Sequence, residues 1–293
     1  YENLVGTSLF TVTCNAISGT IAYVKQKKIL YIAQEITPYL DETPMGSFAR
    51  LLPQIVQEAG DDVRVFMPKY GTINERRHQL HEVIRLSGIN IIVNDTDCQL
   101  LIKVASVPQT RIQVYFIDNK EFFQRKSQFG IEDKYGNDTA ERSIFFFRGV
   151  FEAIKRLRWI PDIIHCTGWF AALAPLYLHT LYKDDPDIGK AKVVYTPFDT
   201  EVTGDITEKL FDILAFDNLK DDWVAPLQGA YDPEALRRIA INYSDGVILP
   251  AEEAGKWTSA KYAKQLGKPI LSYPGMQKEQ ADDYRQFYNS LLQ

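Results

Sequence analysis

Five short apolar runs, widely spaced along 293 residues, restrict this chain to very few folds. They are Ile29-Leu30-Tyr31-Ile32-Ala33, Asp62 to Met67, Asp162-Ile163-Ile164-His165-Cys166, Lys192 to Thr196 and Gly246 to Pro250. Apolar residues fall at consecutive rather than alternate positions, which marks strands covered on both faces. Helical periods separate them. Phe48, Leu51, Leu52, Ile55 and Val56 recur on one face before Gly60. Ile144, Phe145, Phe147, Val150, Phe151 and Ile154 do the same within Thr139 to Leu157. Phe170 to Tyr182, Pro233 to Asn242 and Gln280 to Leu292 read as further helices, the second with Pro in its first turn. Strand–helix–strand units this short imply parallel pairs joined by right-handed crossovers.

The period changes between residues 80 and 117. Val83 to Leu86, Ile89 to Val93, Leu100 to Val104 and Ile112 to Ile117 read as strands separated by Asn, Asp, Gly and Pro, hence as inserted β-hairpins. The expected fold is α/β: a doubly wound, Rossmann-like parallel sheet with an inserted hairpin region. Ligands would sit outside the carboxyl ends of its strands.

Charge and cysteines narrow the function. With 33 Lys+Arg against 38 Asp+Glu the net charge is -5, so no basic excess exists to displace counterions from nucleic acid. Cys14, Cys98 and Cys166 are odd in number and contain no C-x-x-C, which predicts neither a disulfide framework nor a thiolate metal site and suits a reducing cytoplasm. His78 and His81 are three apart and could meet on a helix, but two histidines alone are a weak metal signal, and no metal is expected there. Leu4 to Val24 is uncharged but rich in Thr, Ser, Gly and Asn, a poor membrane helix. Residues 1–27 are therefore set apart as an appended segment, whether hairpin, disordered arm or foreign sequence, and 28–293 as the domain. A start at Tyr1 suggests a fragment or processed product.

Three colinear segments resemble the N-terminal half of bacterial glycogen synthases and plant starch synthases. The first is KILYIAQEITPYLDETPMGSFARLLPQIVQEAGDDVRVFMPKYGTI, the second NDTAERSIFFFRGVFEAI and the third PDIIHCTGWFAALAPLYL. The resemblance implies the N-terminal lobe of a two-lobed GT-B fold from glycosyltransferase family five. Such enzymes transfer glucose from a nucleotide sugar of ADP-glucose type to an α-1,4-glucan. It also implies that a second, C-terminal lobe is absent from this chain.

Residues the family pattern places at the chemistry are altered. Its K-T-G-G-L-G-D loop aligns with Asp41 to Ser47, so an acid stands for the Lys, and Thr43 and Pro44 stand for the first two glycines. Phosphate recognition needs bare amides, close backbone approach and a cation. Gly168 stands for the Asp of the H-D-W stretch, and Phe198 for the His of T-I-H-N. Glu35, Tyr39, Gly46, His165, Trp169 and Gly204 are retained as candidate substrate-binding residues, and Tyr39 and Trp169 are expected to offer rings to a glucan. The expectation is a relative inactive alone that binds glucan or a partner, with no cofactor and no metal. The alternative is an active glucosyltransferase whose donor-binding half lies on another chain.

Overall fold

The computed structural model describes residues 26–128, 136–199, 210–227, 233–251 and 257–293. Its strands are β1 (Lys28–Ala33), β2 (Asp62–Pro68), β3 (His81–Glu82), β4 (Ile89–Val93), β5 (Thr96–Ser106), β6 (Gln113–Asp118), β7 (Ile163–Thr167), β8 (Lys192–Thr196), β9 (Gly246–Ile248) and β10 (Ile270–Leu271). The helices are α1 (Pro44–Glu58), α2 (Thr139–Leu157), α3 (Ala174–His179), α4 (Leu210–Phe216), α5 (Asp221–Val224), α6 (Pro233–Asn242), α7 (Trp257–Gln265) and α8 (Ala281–Leu291).

The sheet order is β10-β9-β8-β7-β1-β2-β6-β5-β3, parallel from β10 to β6 and antiparallel beyond it. Strand β4 pairs with β5 off this path. The chain runs outward from β1 to β2 and then reverses to β7, β8 and β9 on the other side. Right-handed crossovers in opposite directions put helices on opposite faces. Accordingly α1 packs with α8, while α2, α3 and α6 form the other layer. Ile29, Leu30, Ile32, Ile163, Ile164 and Val194 are fully buried, as strands covered on both sides must be.

Differences from the expected elements have local causes. The run Val83 to Leu86 is a turn, and the pairing with β5 falls on His81 and Glu82 instead. The expected helix from Phe170 to Tyr182 is split into a 3-10 turn, Trp169–Ala171, and the short α3. Pro175 cannot donate to a preceding turn, so α3 restarts with that proline in its first turn. The Thr180 hydroxyl donates to the Leu176 carbonyl at 2.6 Å near the helix end. Helix α7 and strand β10 were not expected. Among the described residues no helix is long and apolar enough to cross a membrane. Residues 1–25 lie outside the described part.

Candidate functional site at the carboxyl ends of the strands

Strand reversal between β1 and β7 makes their carboxyl ends the topological switch point, where open α/β sheets open a crevice. In this chain that crevice is filled. Gly168 follows β7 with φ 81°, and a Cβ there would lie 2.7 Å from Met45 Sδ and 2.8 Å from Gln34 Oε1. Gln34 is itself fixed: its Oε1 accepts from the Phe170 amide at 3.1 Å, and its carbonyl accepts from Tyr70 OH at 3.1 Å. No side chain fits at position 168 unless its neighbours move.

The amino end of α1 is engaged internally. Thr43 caps it, its Oγ1 accepting from the Gly46 amide at 2.9 Å while its hydroxyl donates to the Glu35 carboxylate. The Ser47 amide bonds the Thr43 carbonyl at 2.9 Å, and Pro44 has no N–H. At most the Met45 amide remains for an anion. Space beside Gly46 is occupied by the hydroxyl oxygens of Thr37 and Thr43, at 3.0 and 3.1 Å from where a Cβ would stand. Burial raises the Glu35 pKa, against the opposing hydrogen bonds from Thr43 and the Gly46 amide. Asp41 and Glu42 are exposed just before the helix, adding charge of the wrong sign for a diphosphate.

The retained family residues lie mostly inside. His165 is fully buried in β7, its Nδ1 2.9 Å from Tyr288 OH and its Nε2 2.7 Å from Thr196 Oγ1. Burial pulls its pKa down to about 3, so the ring is neutral. Trp169 is 1 % exposed and packs edge-on against Phe170; Tyr39 is 4 % exposed and packs edge-on against His78 and Phe116. A sugar platform needs an open ring face, and these two rings are committed to the core. That corrects the expectation for both. Gly204 lies outside the described residues.

An open cleft lies beside the filled crevice, above β8, β9 and β10. It encloses about 240 Å³ between α1 and the loops that follow these strands. Pro44, Ser47, Phe48 and Leu51 form the α1 wall, with Phe198, Ala251, Tyr273 and Met276 opposite. Phe198 is held edge-on against Phe48, with ring centroids 5.3 Å apart. Tyr273 is 39 % exposed and stands at the rim. Among the described residues the lining offers two hydroxyls, from Ser47 and Tyr273, and no cation. Asp199, beside Phe198, faces Arg237 of α6 at 3.7 Å, and Arg237 also pairs with Glu234 at 3.1 Å. Sequence reasoning picked out Phe198 here but not Tyr273 or Met276. The Tyr-Pro-Gly turn at 273–275 was the available signal. Among the described residues no group of acids, histidines and cysteines could hold a metal ion.

Comparison with known proteins agrees with this frame. A family profile described as "Starch synthase catalytic domain" matches residues 28–278. A glycogen synthase of Chlorobium luteolum is 40 % identical over 191 residues, 64 % of this chain and 39 % of that protein. One from Chlorobium phaeobacteroides is 36 % identical over 236 residues, 77 % of this chain and 48 % of that protein. One from Pelodictyon phaeoclathratiforme is 32 % identical over 267 residues, covering 90 % and 52 %. The chain thus spans about half the length of the curated relatives it matches. Among solved structures, the catalytic domain of starch synthase IV from Arabidopsis thaliana, bound to ADP and acarbose, superposes with a TM-score of 0.67 at 20 % identity. That match covers 87 % of this chain and 53 % of the plant domain.

Proposed function

The chain belongs to the starch synthase catalytic domain family, and from that premise we propose that it is a glucan-binding relative that by itself transfers no glucose. The observation that carries this reading is the lining of the open cleft. Aromatic and aliphatic walls with two hydroxyls suit the apolar face and hydroxyl edge of a neutral sugar. They do not suit a nucleotide diphosphate, which needs donors and a cation where this chain has Pro44, Asp41 and Glu42. Of the two ligands named for the Arabidopsis domain, ADP is the one this site lacks the chemistry to hold.

Transfer would also need a group to stabilise charge on the departing diphosphate. Phe198 can neither donate a hydrogen bond nor move a proton. Gly168 has no side chain, and Met45 and Gln34 fill the space one would take. His165 is neutral, buried and bonded at both ring nitrogens.

Titration calorimetry with maltoheptaose and with ADP, together with an assay of radioactive glucose incorporated from ADP-glucose or UDP-glucose into glycogen, tests the proposal. Binding of the oligosaccharide, no heat with ADP and no incorporation are expected. Incorporation by this chain alone would overturn it. The coverage of only half of each relative favours a second reading, an active enzyme assembled with a chain carrying the other lobe. Incorporation that appears only after such a chain is added would establish it.

A further inference from the structure

Helix α8 touches the cleft without lining it. Tyr284 and Tyr288 stand four residues apart, on one face of that helix, and both are fully buried. Tyr284 OH donates to the Gly275 carbonyl at 2.9 Å and lies 3.8 Å from Met276 Sδ. Met276 is a wall of the cleft. Tyr288 OH lies 2.9 Å from His165 Nδ1 and 3.2 Å from Tyr31 OH, and His165 Nε2 lies 2.7 Å from Thr196 Oγ1. Thr196 is two residues before Phe198, which shares that side of the cleft with Met276. The His165 ring also meets Phe48 of the α1 wall edge-on, with centroids 6.1 Å apart.

We infer that α8 is the bracket that shapes the cleft, with Tyr284 and Tyr288 as positioning residues for its Met276 and Phe198 walls. Resting on the reading of the cleft as a glucan site, this makes oligosaccharide affinity depend on two hydroxyls that never touch the sugar. Physical economy favours this arrangement. Helix α8 presents both phenols at a fixed spacing of about one turn. The helix itself is held by Arg285 Nε, between the two phenols, on Asp61 Oδ2 at 2.9 Å and by Phe287 and Leu291 against Gly246. A Cβ at Gly246 would lie 2.8 Å from the Phe287 ring. The hydroxyls thus tie the walls of the cleft to the position of the helix, Tyr284 directly at Gly275 and Met276 and Tyr288 through His165 and Thr196.

The chain holds three methionines, so a protein labelled with carbon-13 at the methionine methyls gives three signals. Tyr284→Phe removes one hydroxyl and keeps the ring. It is expected to move the Met276 methyl signal, leave those of Met45 and Met67 in place, and weaken maltoheptaose binding about five- to tenfold. Tyr288→Phe is expected to shift the ring nitrogen signals of His165 and to weaken binding similarly. Asp162→Asn, a destabilising change at the opposite ends of the strands, should alter neither Met276 nor affinity. The inference is overturned if Tyr284→Phe leaves the Met276 signal unmoved, or if Asp162→Asn weakens binding as much as the tyrosine variants do. If the unmodified protein binds no oligosaccharide, the glucan reading fails, and the methionine and histidine signals still decide the role of α8.

Discussion

The two ends of the parallel strands have opposite chemistry. At the amino ends, carboxylates staple one strand to the next. Asp61 accepts from the Lys27 amide at 3.0 Å, Asp162 from the Lys28 amide at 2.8 Å and Asp245 from the Val193 amide at 2.8 Å. Trp159 Nε1 donates to Asp62 at 2.7 Å. Asp61, Asp162 and Asp245 each satisfy an amide at a strand start, and Asp61 and Asp245 gather cations as well. At the carboxyl ends of β7 and β8 and before α1, charge is withdrawn or reversed: Phe198 and Gly168 carry none, and Asp41 and Glu42 repel anions. The frame is therefore intact where stability is made and altered where the family's chemistry would take place. A fold and the activity hosted on it are separable because they draw on different ends of the same strands.

Removing a staple should have the largest effect. Asp61 is fully buried between Lys27 and Arg285, so Asp61→Ala leaves the buried Lys27 uncompensated and Arg285 with only the exposed Asp282, and a loss of about 3–5 kcal/mol in urea unfolding is expected. A loss below about 1 kcal/mol would erase the contrast between the two ends. Restoring the family acid with Gly168→Asp should cost about 2–3 kcal/mol, from the left-handed backbone and the contact with Met45 Sδ, and should give no ADP-glucose affinity in calorimetry. Donor binding by that variant would show the carboxyl ends to be recoverable by a single change.

Acid separates the regions as well. Burial holds the folded His165 pKa near 3, below an unfolded value of about 6.5, so the unfolded chain takes up the proton first. Stability is complete above pH 6.5 and falls as pH drops toward 3, by about 2 kcal/mol between pH 6.5 and 5. For Asp245, burial alone would raise the pKa; hydrogen bonds from His179, the Val193 amide and Lys192 outweigh it and bring the value to about 2. Its contribution is present above about pH 4 and is lost between there and about 2. Urea titrations across pH should show both windows, and His165→Gln should remove the upper one only. The smallest effect is expected of Asp41→Lys. This exposed change leaves stability and donor binding where they were, since Pro44 still offers no amide; micromolar affinity for ADP in that variant would refute the account of the loop.

Much of the frame was legible because strong periodicity survives any context. The sequence reading placed α2, β8 and α6 at the residues where they occur, and took the loop before α1 as far as Gly46, although the helix already begins at Pro44 behind its Thr43 cap. Strand β10 was not legible because two residues gain strand geometry only from the β9 edge that templates them. Nor could Val83 to Leu86 be recognised as a turn, because β-branched residues favour a strand only when a partner lies in register. The altered loop residues were equally plain in the sequence. Their consequence was not, since the filling of the Gly168 space by Met45 and Gln34 joins three segments distant in the chain.

Pattern alone determined that this chain would wind a parallel sheet, and its resemblance to the family showed that acids, a threonine and a proline stand where a cation and glycines are expected. Both are read along the chain, without knowing which side chains meet. Only the tertiary structure decided which aromatics face a ligand. Trp169 and Tyr39 went into the core, whereas Tyr273 stayed at the rim of the cleft. Burial is a property of what packs on a residue from elsewhere in the chain, and local sequence carries no record of it.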